Sequence, residues 1–169
     1  IKRYVLAGDC IQVVLSQRFK MPAVADDFQI YRALRSINPS PHMFYFRSDK
    51  VRLIGSSPEL LVKKNGVTAE VRPIAGTRPR GKTAGQDLLL EQQLKSSKKE
   101  MAEHLMLVDL GRNDLGRVCR YTSVEVKNFA HVERFSHVMH LVSDVTGQLR
   151  AGQSAFDLLK ATFPAGTVT

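Results

Sequence analysis

Apolar and polar residues change their period several times along this chain, and each change marks an element. From Cys10 to Met21, "CIQVVLSQRFKM" alternates with β-branched residues and predicts a strand. "DDFQIYRALRSINP" then predicts a helix, with Asp26 or Asp27 as its cap and Pro39 just beyond its end. Four short strands follow, "HMFYFRS", "VRLIGSS", "ELLVKKNG" and "VTAEVRP", separated by Ser-Asp and Asn-Gly turn signals. The period lengthens again in "QDLLLEQQLKSSKKEMAEHLMLVDLGRNDLGR". There Met101, Leu105 and Val108 form a core-facing stripe at i, i+4, i+7, and a break near Ser96 and Ser97 predicts two helices. Strands return with "RVCRY", "SVEVKNFAHVERF" and "HVMHLVSDVTGQL", and Ser154 caps a last helix over "SAFDLLKATF". Antiparallel strands broken by a helical layer predict an α+β fold, antiparallel sheets flanked by helices, rather than βαβ winding.

Composition narrows the class. With 169 residues and 43% hydrophobic content the chain is long enough for one domain with a core. No apolar run approaches the roughly 18 residues of a membrane-spanning helix, and "IKRYVLAGDC" has neither an initiating methionine nor a secretory signal, as if cut within a longer chain. Cys10 and Cys119 lack C-x-x-C spacing, which points to a reduced, cytoplasmic setting. The net charge of +9 attracts polyanions, so a basic nucleic-acid-binding module is a competing class. Much of the excess is local: Arg72 to Lys99 holds seven Lys or Arg against two acids. That stretch contains no aromatic residue for base stacking, which counts against nucleic acid.

Five places carry candidate chemistry, each with a plainer alternative. "RPIAGTRPRG", Arg72 to Gly81, reads as a stiff basic turn in which Gly76 allows close backbone approach and Thr77 adds a hydroxyl, a grip for a small anion. Its plainer reading is a rigid solvated turn. Glu100 and Glu103, three apart on a helix, project on one face and suit a hard cation such as Mg²⁺; otherwise they are a solvated face, Lys99 pairing with Glu103. His104, one residue further, diverges by about 100°. His140 has apolar neighbours on both strand faces, so burial would keep it neutral and able to accept a proton; the alternative is a hydrogen-bonded core histidine. Glu59 in "SSPELL" is a partly buried general acid or an ordinary first-turn carboxylate behind a Ser cap. Gln12 is a polar amide in an apolar strand.

Taken together, "GDCIQVVLSQRF", "SSPELL", "RPIAGTRPRG", "KKEMAEHLMLVDLGRNDLGRV", "ERFSHVMHLVSDVTGQL" and "FPAGTVT" closely resemble the chorismate-utilising enzymes, most closely the large, aminating subunits of anthranilate synthases. The likeness runs from about Gly8 to Thr169. It implies residues 1–169 as part of a single chorismate-binding catalytic domain, truncated at both ends and inactive in isolation. It further implies a Mg²⁺-dependent lyase that adds ammonia at C2 of chorismate, expels the C4 hydroxyl and eliminates pyruvate to give anthranilate, the committed step of tryptophan biosynthesis. Glutamine would supply the ammonia through an amidotransferase partner subunit, in a hetero-oligomer of the full-length protein; no nucleic acid or membrane enters.

The resemblance also implies the residue roles. Glu103 would ligate Mg²⁺ directly and Glu100 through water. Gly76, Thr77 and Thr167 would hold substrate carboxylate, Glu59 would protonate the leaving hydroxyl, and His140 would serve the elimination. Relatives that add water carry lysine where Gln12 stands, so Gln12 speaks for ammonia. Aminodeoxychorismate synthases, the alternative within the family, often carry a nucleophilic lysine where Ala75 stands, and Ala75 speaks against covalent chemistry.

Overall fold

A helix start needs a side-chain acceptor for its first free N–H groups, and Asp26 supplies one. In the computed structural model, which describes residues 1–10 and 13–166, Asp26 accepts from the Phe28 N–H at 3.0 Å and opens α2 (Asp27–Ile37). A short helix, α1 (Lys2–Ala7), precedes it. The chain falls into two compact units, residues 1–58 and Glu59–Gly166.

In the first unit α2 packs on an antiparallel hairpin, β1 (His42–Arg47) and β2 (Arg52–Ser57). Phe28, Tyr31 and Tyr45 cluster between helix and hairpin, with ring centroids 5.5 to 5.9 Å apart. The Tyr45 hydroxyl and Arg52 Nε both donate to the Asp27 carboxylate, at 2.8 and 2.9 Å. Of the strand expected over Cys10–Met21, the described part is not there: residues 13–25 form neither helix nor strand, and Val13, Val14 and Leu15 are exposed. Alternation alone does not make a strand, because its N–H and C=O groups need a neighbour to pair with.

The second unit holds a five-stranded antiparallel sheet. Its strands are β3 (Lys63–Asn65), β4 (Thr68–Val71), β5 (Ile74–Pro79), β6 (Glu125–Arg134) and β7 (Val138–Gln148). β7 is central: β4 and β5 follow one another along one edge, and β6 lines the other. Met139, Leu141, Ser143, Val145 and Gly147 alternate onto one face of β7 and are all buried. Helices α3 (Ala84–Ser96), α4 (Lys98–Gly116) and α5 (Ala155–Thr162) belong to this unit. They build two apolar clusters, Leu94 with Met139 and Leu141, and Val108, Leu115 and Leu158 with Val71 and Val145.

Ser97 ends α3 and caps α4 through the Glu100 N–H, and Ser154 opens α5 in a capping box with Asp157. The α4 stripe is shifted from the expected one. His104, Val108, Gly111 and Leu115 are buried, while Leu105 is exposed. Gly111 lets α4 approach the sheet, since a Cβ there would meet Val71 Cγ2 at 2.8 Å. "RVCRY" contributes only an isolated bridge, Cys119 to Leu149. No helix among the described residues is long and apolar enough to cross a membrane.

Candidate functional site

The segment expected to be a basic turn is a strand. Ile74–Pro79 pairs along β7, with a bulge at Gly76 between the Ala75–Leu141 and Thr77–His140 rungs. Gly76 has φ +64°, and a Cβ on it would lie 3.2 Å from both Glu100 Cβ and Oε2 and 2.9 Å from a Leu94 methyl. Both backbone conformation and the close approach of α4 require glycine here.

The bulge turns the Gly76 carbonyl and the Thr77 hydroxyl toward one imidazole. His140 Nδ1 lies 2.9 Å from Gly76 O and 3.1 Å from Thr77 Oγ1. A carbonyl only accepts, so Nδ1 carries the proton, and in the neutral ring Nε2 holds the lone pair. The Phe135 ring meets the imidazole at 5.5 Å. His140 is half-buried rather than enclosed, although Val142, two residues along on the same face of β7, is fully buried. Its apolar neighbours Met139 and Leu141 point the other way, into the core.

Glu100 reaches the same bulge from α4, half-buried, with Oε1 3.5 Å from Arg78 Nη1. Glu103 follows one turn later, also half-buried. Two carboxylates are donors that Mg²⁺ accepts, but among the described residues no three His, Cys, Asp or Glu side chains converge on a metal position. A Mg²⁺ held by two carboxylates alone would have to take its remaining ligands from water and substrate oxygens. Glu59 sits exposed in a bend before β3, not in a helix. Ala75 is buried opposite Leu141. Thr167 and Gln12 lie outside the described residues.

The three arginines of the quoted stretch are all engaged by carboxylates of this chain. Arg80 clamps Asp87 through Nε and Nη2, and the Gly81 N–H donates to the same carboxylate at 2.6 Å. Arg78 faces Glu100. Arg72 donates to Asp144 at 2.8 Å and to Glu133. Burial works against the Arg72 charge, but Asp144 and Glu133 outweigh it and raise its pKa. Burial likewise opposes ionisation of Asp144, yet hydrogen bonds from Asn128 and Arg72 bring its pKa down. A basic surface offered to polyanions is not what this segment builds.

Sequence reading missed Glu133, which lies directly across from His140 on the β6–β7 ladder. The available signal was the period-two spacing of His131 and Glu133 in "AHVERF". It also missed His104, fully buried on α4 and 2.7 Å from Ser143 Oγ. Burial, followed by the nearby His131 charge, pushes the His104 pKa down and keeps that ring neutral.

The whole chain, residues 1–169, matches the chorismate binding enzyme family. It is 58% identical over 168 residues to an anthranilate synthase component 1 from Aquifex aeolicus, covering 99% of this chain and 34% of that one. A protein of the same name from Synechocystis is 56% identical over 173 residues, with the same coverage. The chain thus spans about a third of the length of the curated relatives it matches. Among solved structures it matches anthranilate synthase component I from Streptococcus pneumoniae with a TM-score of 0.73 and 44% identity, covering 87% of this chain and 32% of that chain. A menaquinone-specific isochorismate synthase from Escherichia coli, at 22% identity and a TM-score of 0.57 over 64% of this chain and 24% of that one, shares the fold. By sequence and by fold this chain belongs to the chorismate binding enzymes.

Proposed function

We propose that this chain forms part of an anthranilate synthase large subunit, converting chorismate and ammonia to anthranilate and pyruvate. The observation that carries the reading is the bulge at Gly76, which gathers Thr77 Oγ1, His140 Nδ1 and the Glu100-bearing helix around one backbone kink. The names of its relatives support the same reaction.

In this reading the Thr77 hydroxyl and the backbone at Gly76 hold a substrate carboxylate. Because Nδ1 donates to the Gly76 carbonyl, Nε2 of His140 is the nitrogen that accepts the ring proton lost as pyruvate leaves. Glu59 gives its proton to the departing C4 hydroxyl, which leaves as water. Glu103, with Glu100 through water, would hold a Mg²⁺ whose positive charge neutralises the ring carboxylate. Ammonia would come from a glutamine amidotransferase subunit, and the product would enter tryptophan biosynthesis in the cytoplasm. Cys10 and Cys119 are free thiols, which accords with a reducing compartment.

The test replaces the matching third of the Aquifex aeolicus relative with residues 1–169 and assays chorismate, ammonium and Mg²⁺. Anthranilate fluorescence with equimolar pyruvate is expected, falling about 10²- to 10⁴-fold in His140→Ala. A folded chimera that accumulates aminodeoxychorismate without pyruvate would replace this reading with the folate-pathway alternative. A folded chimera that consumes no chorismate would end both.

A further inference from the structure

β6 contains an irregularity whose effect is felt at His140. Lys127 pairs with Asp144 and His131 with Val142, so β6 takes four residues where β7 takes two. If the Lys127 register simply continued, His131 would stand opposite His140 and Glu133 opposite Val138. The two extra residues shift the pairing beyond them by two positions, which keeps each side chain on its face, and Glu133 stands opposite His140 instead.

This bulge is strained, and it is tied down on both faces. Asn128 (φ +48°) and Ala130 (φ +50°) are both in the left-handed region, unusual for residues with a side chain. On the outer face Asn128 Nδ2 donates to Asp144 at 3.0 Å, and His131 Nδ1–H donates to Asn128 O at 2.7 Å. On the inner face the Ala130 N–H donates to Ser143 Oγ at 2.8 Å, and Ser143 Oγ meets His104 Nε2 at 2.7 Å. Ser143 and His104 are both 0% exposed.

His104 makes poor sense as packing alone. Its Nδ1 has no hydrogen-bond partner among the described residues, an arrangement a leucine between α4 and the sheet would avoid. What histidine adds is the bond to Ser143, with Phe129 of the bulge against its ring at 5.8 Å.

We propose that His104 and Ser143 are positioning residues that lock the β6 bulge and so place Glu133, held by Arg72, rather than His131 opposite the proton-accepting His140. This rests on the reading of His140 given above, but the register itself is measurable without turnover.

In the 169-residue chain, Ser143→Ala should speed exchange of the Ala130 amide at least fivefold while Val71 and Val145 stay within twofold. The cross-strand NOE between Glu133 and His140 should weaken or be joined by one between His131 and His140. His104→Leu should reproduce this, whereas His104→Gln, whose side-chain amide can replace the ring nitrogen at Ser143 Oγ, should keep the parent exchange and NOE pattern. Unchanged Ala130 exchange, or equal acceleration throughout the sheet, overturns the proposal. If Ser143→Ala does not fold, the Leu and Gln variants at 104 decide by the same readings.

In the chimera, Ser143→Ala should lower kcat about tenfold with chorismate KM within twofold. A loosened bulge with unchanged kcat, in a chimera that His140→Ala inactivates, also overturns the proposal. Should His140→Ala leave turnover intact, it is the functional reading that fails, and the NOE register still judges the pair.

Discussion

The two units share a vocabulary and differ in what holds it together. Each has a helix with a side-chain cap and antiparallel strands joined by tight turns. Yet no described residue of the first unit is buried, whereas in the second Leu94, Leu115, Met139, Leu141 and Val145 are all 0% exposed. The first unit is held by an aromatic trio and the Asp27 carboxylate, the second by a core with polar clamps at its rim. Good local signals produce elements in both; only closure of a layer over a sheet produces burial.

The comparison is open to attack first at the core. Leu141→Ala, opposite Ala75 and Val132, should destabilise the second unit by about 2–5 kcal/mol. Leu53→Ala on the half-exposed hairpin should change stability by no more than about 0.5 kcal/mol. Urea unfolding followed by amide exchange in β7 and in α2 separates the two, and equal effects would erase the distinction. Next, Gly76→Ala forces a left-handed residue against Glu100 and should cost about 1–3 kcal/mol, with loss of the Thr77–His140 rung in NMR spectra.

Acid should separate the units with a smaller effect. The Tyr45 hydroxyl, and after it Arg52, hold the Asp27 carboxyl below its ordinary range, and Arg80 with the Gly81 N–H does the same for Asp87. A lowered folded pKa means the unfolded chain takes up the proton first. Both contributions are therefore complete above about pH 5, begin to fall through the unfolded value near 3.9 and disappear as the pH falls through the folded values. Asp27 ties helix to hairpin through Arg52, so α2 amides should lose protection as the pH falls below the ordinary carboxylate range while β7 amides keep theirs. Asp27→Asn should remove this step from the exchange profile of α2 and leave that of β7 unchanged. Simultaneous loss in both units would show that the first does not depend on Asp27.

Local features were legible where the interaction spans four residues or fewer. The Asp26 cap, the break at Ser97, the Asn65-Gly66 hairpin turn and the Ser154 capping box all fall in that range. Reading failed where the partner is distant. "CIQVVLSQRFKM" has a strand's alternation, but residues 13–25 pair with no strand. "RPIAGTRPRG" has turn residues but is a strand, because β7 offers it an edge and Gly76 absorbs the misfit as a bulge. The α4 stripe includes His104 rather than Leu105, because Ser143 faces α4 there and gives a polar ring a partner.

Sequence alone determined the α+β class, the family resemblance and the residue types at the site, since these depend on local period and on motif order. Tertiary structure decided that Thr77 and His140, 63 residues apart, share a hydrogen bond. It also placed Glu100 beneath a glycine that any side chain would crowd, and Glu133 two positions along from where an unbroken strand would put it. The physical reason is common to all three: a β-bulge changes which residues meet, and whether a bulge forms depends on what the strand packs against.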